Sequence, residues 1–380
     1  MKRILTPGML RCMSILIVLI IPKTMVASQT WQVTLGAQSK DASRQAMAFL
    51  PNELWIYAGD SVKWTSNSGE FHTVMFLAQT TTGAAAAGTT RPANGTAGST
   101  GCAGGAQGGS STTPSPASLV VTAGITNCIN SGPVCDPSLQ QTPVPSNCYG
   151  WTNGTTNTVE TSYTVTFPSG GNFKLTCLIH ADMTGVIHVR PNSDTLPHNQ
   201  WFYDDAGRDQ AHNLLADLDR VGRDNDDQGD NSRHEVVTTG ELVATGGGKQ
   251  FLAIMRFLPK TIHVHVNDTV EWTNLDPAAA HTVTFGTEPA IPTTLVGLDN
   301  PSDPDSDTDL HATITPSNTS ASSGFLVAAP QERVGLPQVP AGVRRLQVKF
   351  TFPGTFEYIC ALHDELGMKG KVIVGDDDSR

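Results

Sequence analysis

The chain repeats itself. The stretch "FLPNELWIYAGDSVKWTSNSGEFHTVMF" (49 to 76) aligns with "FLPKTIHVHVNDTVEWTNLDPAAAHTVTF" (257 to 285), so that Phe49, Pro51, Asp60, Val62 and Trp64 fall on Phe257, Pro259, Asp268, Val270 and Trp272. One inserted residue then brings His72 onto His281. Further on, "GNFKLTCLIHADMTGVIHV" (171 to 189) aligns with "GTFEYICALHDELGMKGKVIV" (354 to 374), placing Cys177 on Cys360 and His180 on His363. A tandem duplication is a strong constraint, because whatever one half forms the other forms too. A length of 380 residues leaves room for two ordinary domains.

Each unit reads as β. Ile262, Val264 and Val266 alternate with His263 and His265, giving one buried and one exposed face, and the turns carry Gly, Asn, Asp or Pro. The expected fold class is all-β: two tandem β-sandwiches, residues 29 to 190 and 241 to 380, with long loop insertions. The insertion at about 78 to 158 is diluted with Gly, Ala, Ser and Thr, and a shorter one runs from about 287 to 340. Between the domains lies an acidic linker, 191 to 240. Phe202, Leu214, Leu215, Leu218 and Val221 predict a helix in the second half of its first segment.

The first 28 residues have the form of a secretory signal peptide. Lys2, Arg3 and Arg11 precede an apolar run from Met13 to Ile21, and small residues follow at Ala27 and Ser28. That run falls well short of the roughly 20 residues a bilayer span needs, so no stable membrane insertion is expected after cleavage. A secreted or periplasmic location follows. Loss of the leader would remove Lys2, Arg3, Arg11 and Lys23 and no acidic residue, taking the net charge from −11 to −15. Such a chain is a poor binder of nucleic acid and a better match for a basic partner surface. Cys102, Cys128, Cys135 and Cys148 fit two disulfides in an oxidising compartment, with three connectivities open.

Cys177 and Cys360 are left over, each in an apolar strand-like run with a His three residues later. Each half thus assembles one upstream His and a cluster on the last turn: His72 with Cys177, His180 and Met183, and His281 with Cys360, His363 and Met368. Two imidazoles, a thiolate and a weak thioether make the trigonal set of a blue-copper electron-transfer site. Zinc sites lean on paired cysteines or extra histidines, which these loops lack.

Both units resemble cupredoxins, the plastocyanin and amicyanin group of type 1 copper proteins. "CALHDELGM" has the plastocyanin ligand spacing and "CLIHADM" the shorter amicyanin spacing, while "HTVTF" and "HTVMF" resemble the family's first-ligand segment. The resemblance implies two Greek-key sandwiches, two type 1 coppers per chain, and a one-electron carrier that serves a redox partner protein and is not an enzyme. It also implies that His180 and His363 present a ring edge at the surface as the electron port.

Other chemistries are open to comparison. Multicopper oxidases flank the type 1 Cys with His, whereas Cys360 has Ile359 and Ala361, and Cys177 has Thr176 and Leu178. His263 and His265 could pose as an additional catalytic copper pair, which is the oxidoreductase alternative. Copper storage or sequestration is the other. "DNDDQGDNSRHE" places Asp224, Asp226, Gln228, Gly229, Asp230 and Glu235 near a calcium-loop spacing, but Gln228 and the strand-like "VVTTGEL" depart from it. Those departures favour a solvated acidic linker over a calcium site.

Overall fold

Period-two burial builds the strands. In Ser61–Ser66 the side chains of Val62, Trp64 and Ser66 turn inward, and in Arg345–Phe350 those of Leu346, Val348 and Phe350 do the same. The computed structural model describes residues 27–76, 102–103, 128–131, 134–139, 161–177, 180, 183–216, 235–245, 248–276, 279–290, 294–299, 309–326 and 345–376. The leader to residue 26, most of the first insertion and the acidic calcium-like segment lie outside them. Cys135 is disulfide-bonded, but the pairing among the four cysteines also lies outside the described side chains.

The duplication is explicit in the sheets. In the first half, Glu53–Tyr57 runs parallel to Thr184–Arg190, followed antiparallel by Gly171–Thr176, Met75–Phe76 and Cys128–Asn130. The second half repeats the order with Thr261–His265, Lys369–Gly375, Gly354–Ile359, Thr284–Phe285 and Ala321–Ser323. Opposite each of these lies a sheet in which Thr30–Gln38 pairs parallel with Ser61–Ser66, just as Glu235–Thr245 pairs with Thr269–Leu275. Each half is a β-sandwich with the same strand order. The two "FLP" motifs even share a cis peptide, Leu50–Pro51 and Leu258–Pro259.

Trp64 and Trp272 occupy equivalent places in the core. They are 0% and 1% exposed, and each meets an aromatic ring edge to face, Phe76 at 5.8 Å and Phe285 at 5.6 Å. Burying about 200 Å² of indole at ~25 cal/mol/Å² contributes about 5 kcal/mol of transfer free energy for each.

The halves are joined through the backbone. Gly248–Ile254 pairs antiparallel with Arg44–Leu50, matching Phe251 with Met47 and Ile254 with Arg44, so one nine-stranded sheet runs through both domains. Arg44–Leu50 is buried on both faces because the helix Gln200–Ala216 covers its outer side. That helix starts earlier than the apolar spacing predicted. Asn199 caps it through Phe202 N–H (3.1 Å), Tyr203 is buried and its hydroxyl accepts from Trp55 N–H, and Gly207 lies so close to Leu50 that a Cβ would sit 3.0 Å from its carbonyl. Trp201 and Phe202 stay largely exposed. No helix among the described residues is long and apolar enough to cross a membrane.

Candidate metal centres

Each centre is assembled by strand ends. Gly171–Thr176 delivers Cys177, the turn beyond carries His180, and Met183 stands just before Thr184–Arg190. His72 arrives from the neighbouring segment, fixed by paired backbone hydrogen bonds to Val134. In the second half Gly354–Ile359 delivers Cys360, the turn carries His363, Met368 precedes Lys369–Gly375, and His281 is pinned to Leu326. All eight side chains are buried.

In both halves the structure brings the Cys and two His together: His72, Cys177 and His180, and His281, Cys360 and His363, each set with its ligating atoms within 4.8 Å of one another. The Nδ1 atoms converge. His72 and His180 approach to 3.2 Å and His281 and His363 to 3.1 Å, while Sγ lies 3.7 Å from His180 Nδ1 and 3.3 Å from His363 Nδ1. The Met closes each loop through its carbonyl, which accepts from the Cys N–H at 2.9 Å (Met183) and 3.1 Å (Met368). Backbone N–H groups also aim at the sulfurs, from Thr73 and Thr282 at 3.3 Å and from His180 at 3.5 Å.

These surroundings favour thiolates. Burial pushes both thiols up, yet the charge of His363 and hydrogen bonds from His281 and His363 hold Cys360 at about 5. Hydrogen bonds and charge from His180 and His72 likewise carry Cys177 well below the usual thiol range. Burial lowers His72, whereas Asp276 and Cys360 outweigh burial at His281 and raise it to about 9.

The outer nitrogens tell the halves apart. His72 Nε2 lies 3.2 Å from Ser68 Oγ, in a space that exists only because Gly36, at φ +66°, has no side chain: a Cβ there would sit 2.6 Å from the ring. His281 Nε2 lies 3.6 Å from the buried carboxylate of Asp276. His180 and His363 differ most from expectation. They are 2% and 3% exposed, so neither offers a ring edge to solvent, and both face one carboxylate: Glu70 Oε1 is 3.3 Å from His180 Nε2 and Oε2 is 3.4 Å from His363 Nε2. Burial pushes the Glu70 carboxyl up, but the charge of His363 and the contact with His180 hold it at about 2.

Glu70, Asp276 and Ser68 stand at no spacing that marks them in the sequence. The only local signal was an acidic residue among small and apolar ones beside each first His. His263 and His265, by contrast, sit on the outer face of Thr261–His265 and join no cluster of ligating groups among the described residues. The donor set suits copper: soft thiolate, two imidazoles and a following Met.

The second half matches a copper-binding family. Residues 248–375 fit the model of copper binding proteins, plastocyanin/azurin family. No curated protein matches the chain. Among solved structures, a mutant fern plastocyanin is 19% identical, covering 36% of this chain and 99% of its own, at a TM-score of 0.19. Reduced auracyanin from Roseiflexus castenholzii is 18% identical, covering 37% and 96%, at 0.20. The multicopper oxidase mgLAC is 12% identical over 93% of this chain and 88% of its own, at 0.19. Likenesses this low in TM-score leave the function to the geometry of the two His, Cys, His sets.

Proposed function

We propose that the protein is an exported electron carrier holding one type 1 copper in each half, without substrate turnover. The observation that supports it is the twice-repeated buried Cys, His, His set with converging Nδ1 atoms. Copper, when bound, supplies one-electron chemistry by alternating between its two oxidation states. The chain does the rest. Cys177 and Cys360 would hold copper as thiolates together with the His72 and His180 or His281 and His363 imidazoles, and Met183 and Met368 would serve as weak thioether donors that tune the potential. Hydrogen bonds from Thr73, His180 and Thr282 to sulfur adjust it further and hold the geometry still. The five-residue step from His363 to Met368, against three from His180 to Met183, gives the two centres different potentials. An acidic mature chain suits a redox partner with a basic docking face.

The test is spectroscopic. Protein loaded with Cu(II) is expected to show intense thiolate-to-copper absorption equivalent to about two coppers per chain, bleaching reversibly on reduction. A colourless protein that retains only Cu(I) would favour storage, and turnover of oxygen or nitrite would favour an oxidoreductase.

A further inference from the structure

Glu70 belongs to the first half, two residues before His72, yet it contacts the last-turn His of both halves. Its side chain is 1% exposed. The turn that carries it is held from below: Gly69 N–H donates to Gln38 Oε1 at 2.8 Å, the buried Gln45 amide donates to the same oxygen, and Ser68 Oγ donates to the Glu70 carbonyl. The far side of the contact is equally fixed. Strand pairing from Phe251 to Ile254 locks the halves together, and Arg256 donates to Leu366 O inside the second Cys-to-Met loop and to Asp41 O of the first half, both at 2.7 Å. Phe71 and Phe251 flank His180, with ring centroids 6.2 and 6.1 Å away, so the contact lies among apolar rings.

When Nδ1 of each ring is taken up by a metal, Nε2 keeps its proton and becomes a donor. One carboxylate with two oxygens then accepts from both rings. We propose that Glu70 joins the two copper centres into one coupled pair, acting as outer partner to His180 and His363 at once and as the route by which an electron crosses between the halves. This rests on reading both sets as type 1 copper. The crossing is a simple exchange: one centre loses the electron the other gains, and both Nε2 protons stay on their rings. A buried negative charge shared by two centres favours the oxidised, more positive state of each, and in a low-dielectric setting that effect is strong. Oxidation of one centre draws on the same carboxylate and so makes oxidation of the other harder. In the second half the position two before the His is Ala279, so the bridge is supplied once and not twice.

The test uses the full copper-loaded chain. Cys177→Ser leaves the second centre as the only blue one, and Glu70→Gln is then added. The bridge predicts that the potential of the second centre rises and that it loses copper to a chelator about tenfold faster, although the change lies in the other half. Cys360→Ser with Glu70→Gln gives the mirror result. Glu70→Asp keeps the charge but is one methylene too short to span both rings, so it preserves one centre and not the other. In the intact chain Glu70→Gln slows electron exchange between the halves after flash reduction by about tenfold or more. Unchanged potential and chelator loss at the second centre in a folded Glu70→Gln protein overturn the proposal. Should both Glu70 variants fail to fold, a stepwise redox titration of the wild type decides: independent titration of the two centres overturns the bridge, and mutual dependence supports it. Absence of blue absorption in the wild type defeats the copper reading first and the bridge with it.

Discussion

The two Cys, His, His sets are alike in residue type and differ in where each half places its buried acid. In the second half Asp276 lies five residues before His281 and faces that same His, 3.6 Å away. In the first half the corresponding role falls to a neutral hydroxyl, Ser68, while the acid has moved to Glu70 and points across the interface to His180 and His363. One inserted residue in "NLDPAAAH" relative to "SNSGEFH" accompanies this change. A duplicated fold can therefore keep its first-line chemistry intact while the residues just outside it turn two separate centres into neighbours. The same comparison explains the buried rings. The edges expected at the surface are covered because each half is the other's cover.

The largest expected effect is loss of a centre. Cys360→Ser or Cys177→Ser should each remove about half of the copper-loaded absorption, and the double variant all of it; if either single change removed everything, the two sets would have to be one site. Next comes the core beneath them. Trp64→Ala and Trp272→Ala each leave a cavity in a fully buried place and should cost about 3–5 kcal/mol in denaturant unfolding. A far smaller cost in one half would show that the duplicated core carries unequal load. Below that lies the asymmetry of the outer nitrogens. Asp276→Asn should weaken copper retention at the second centre by about 10–100-fold, measured by chelator competition, whereas Ser68→Ala at the first should cost less because a neutral hydrogen bond is lost instead of a buried charge. Equal losses would remove the distinction drawn between the halves.

The clustering of Cys and His was legible because most of it is local in sequence. Cys177, His180 and Met183 sit within seven residues, and the repeat supplied a second copy as a check. The strands were legible for the same reason, since alternation such as Ile262 and Val264 against His263 needs no distant information. The bridge was not, because it depends on Arg44–Leu50 pairing with Gly248–Ile254 across some two hundred residues, and nothing in "RQAMAFL" states which strand will lie beside it. What that segment does show is apolar residues at both parities, the mark of a strand covered on both faces. The helix was placed too late for a related reason. Its seat is set by Tyr203 and by Gly207 against Leu50, a close approach that leaves no apolar stripe to read.

The smallest effect concerns the rim of the same interface. Asp41 lies 3.9 Å from Arg256, the residue that ties the second Cys-to-Met loop to the first half, but its side chain is 64% exposed. Partial burial pushes its carboxyl up, and hydrogen bonds from Ser39 and Ser43, with Arg256 nearby, outweigh that and bring it from 3.8 down to about 2. A carboxyl lowered on folding stabilises the fold above its unfolded value. That contribution is complete above about pH 4 and fades as the pH falls through about 2. Solvent screening keeps it small, and Asp41→Asn should cost no more than about 1 kcal/mol at neutral pH. The backbone carbonyl of Asp41, which accepts from Arg256 at 2.7 Å, survives that substitution. The second centre should therefore keep its potential in Asp41→Asn, whereas in Glu70→Gln that potential should rise. A shift of equal size in both variants would mean that the halves communicate through general loosening of the interface, and the distinction between a buried bridge and an exposed tie would fall.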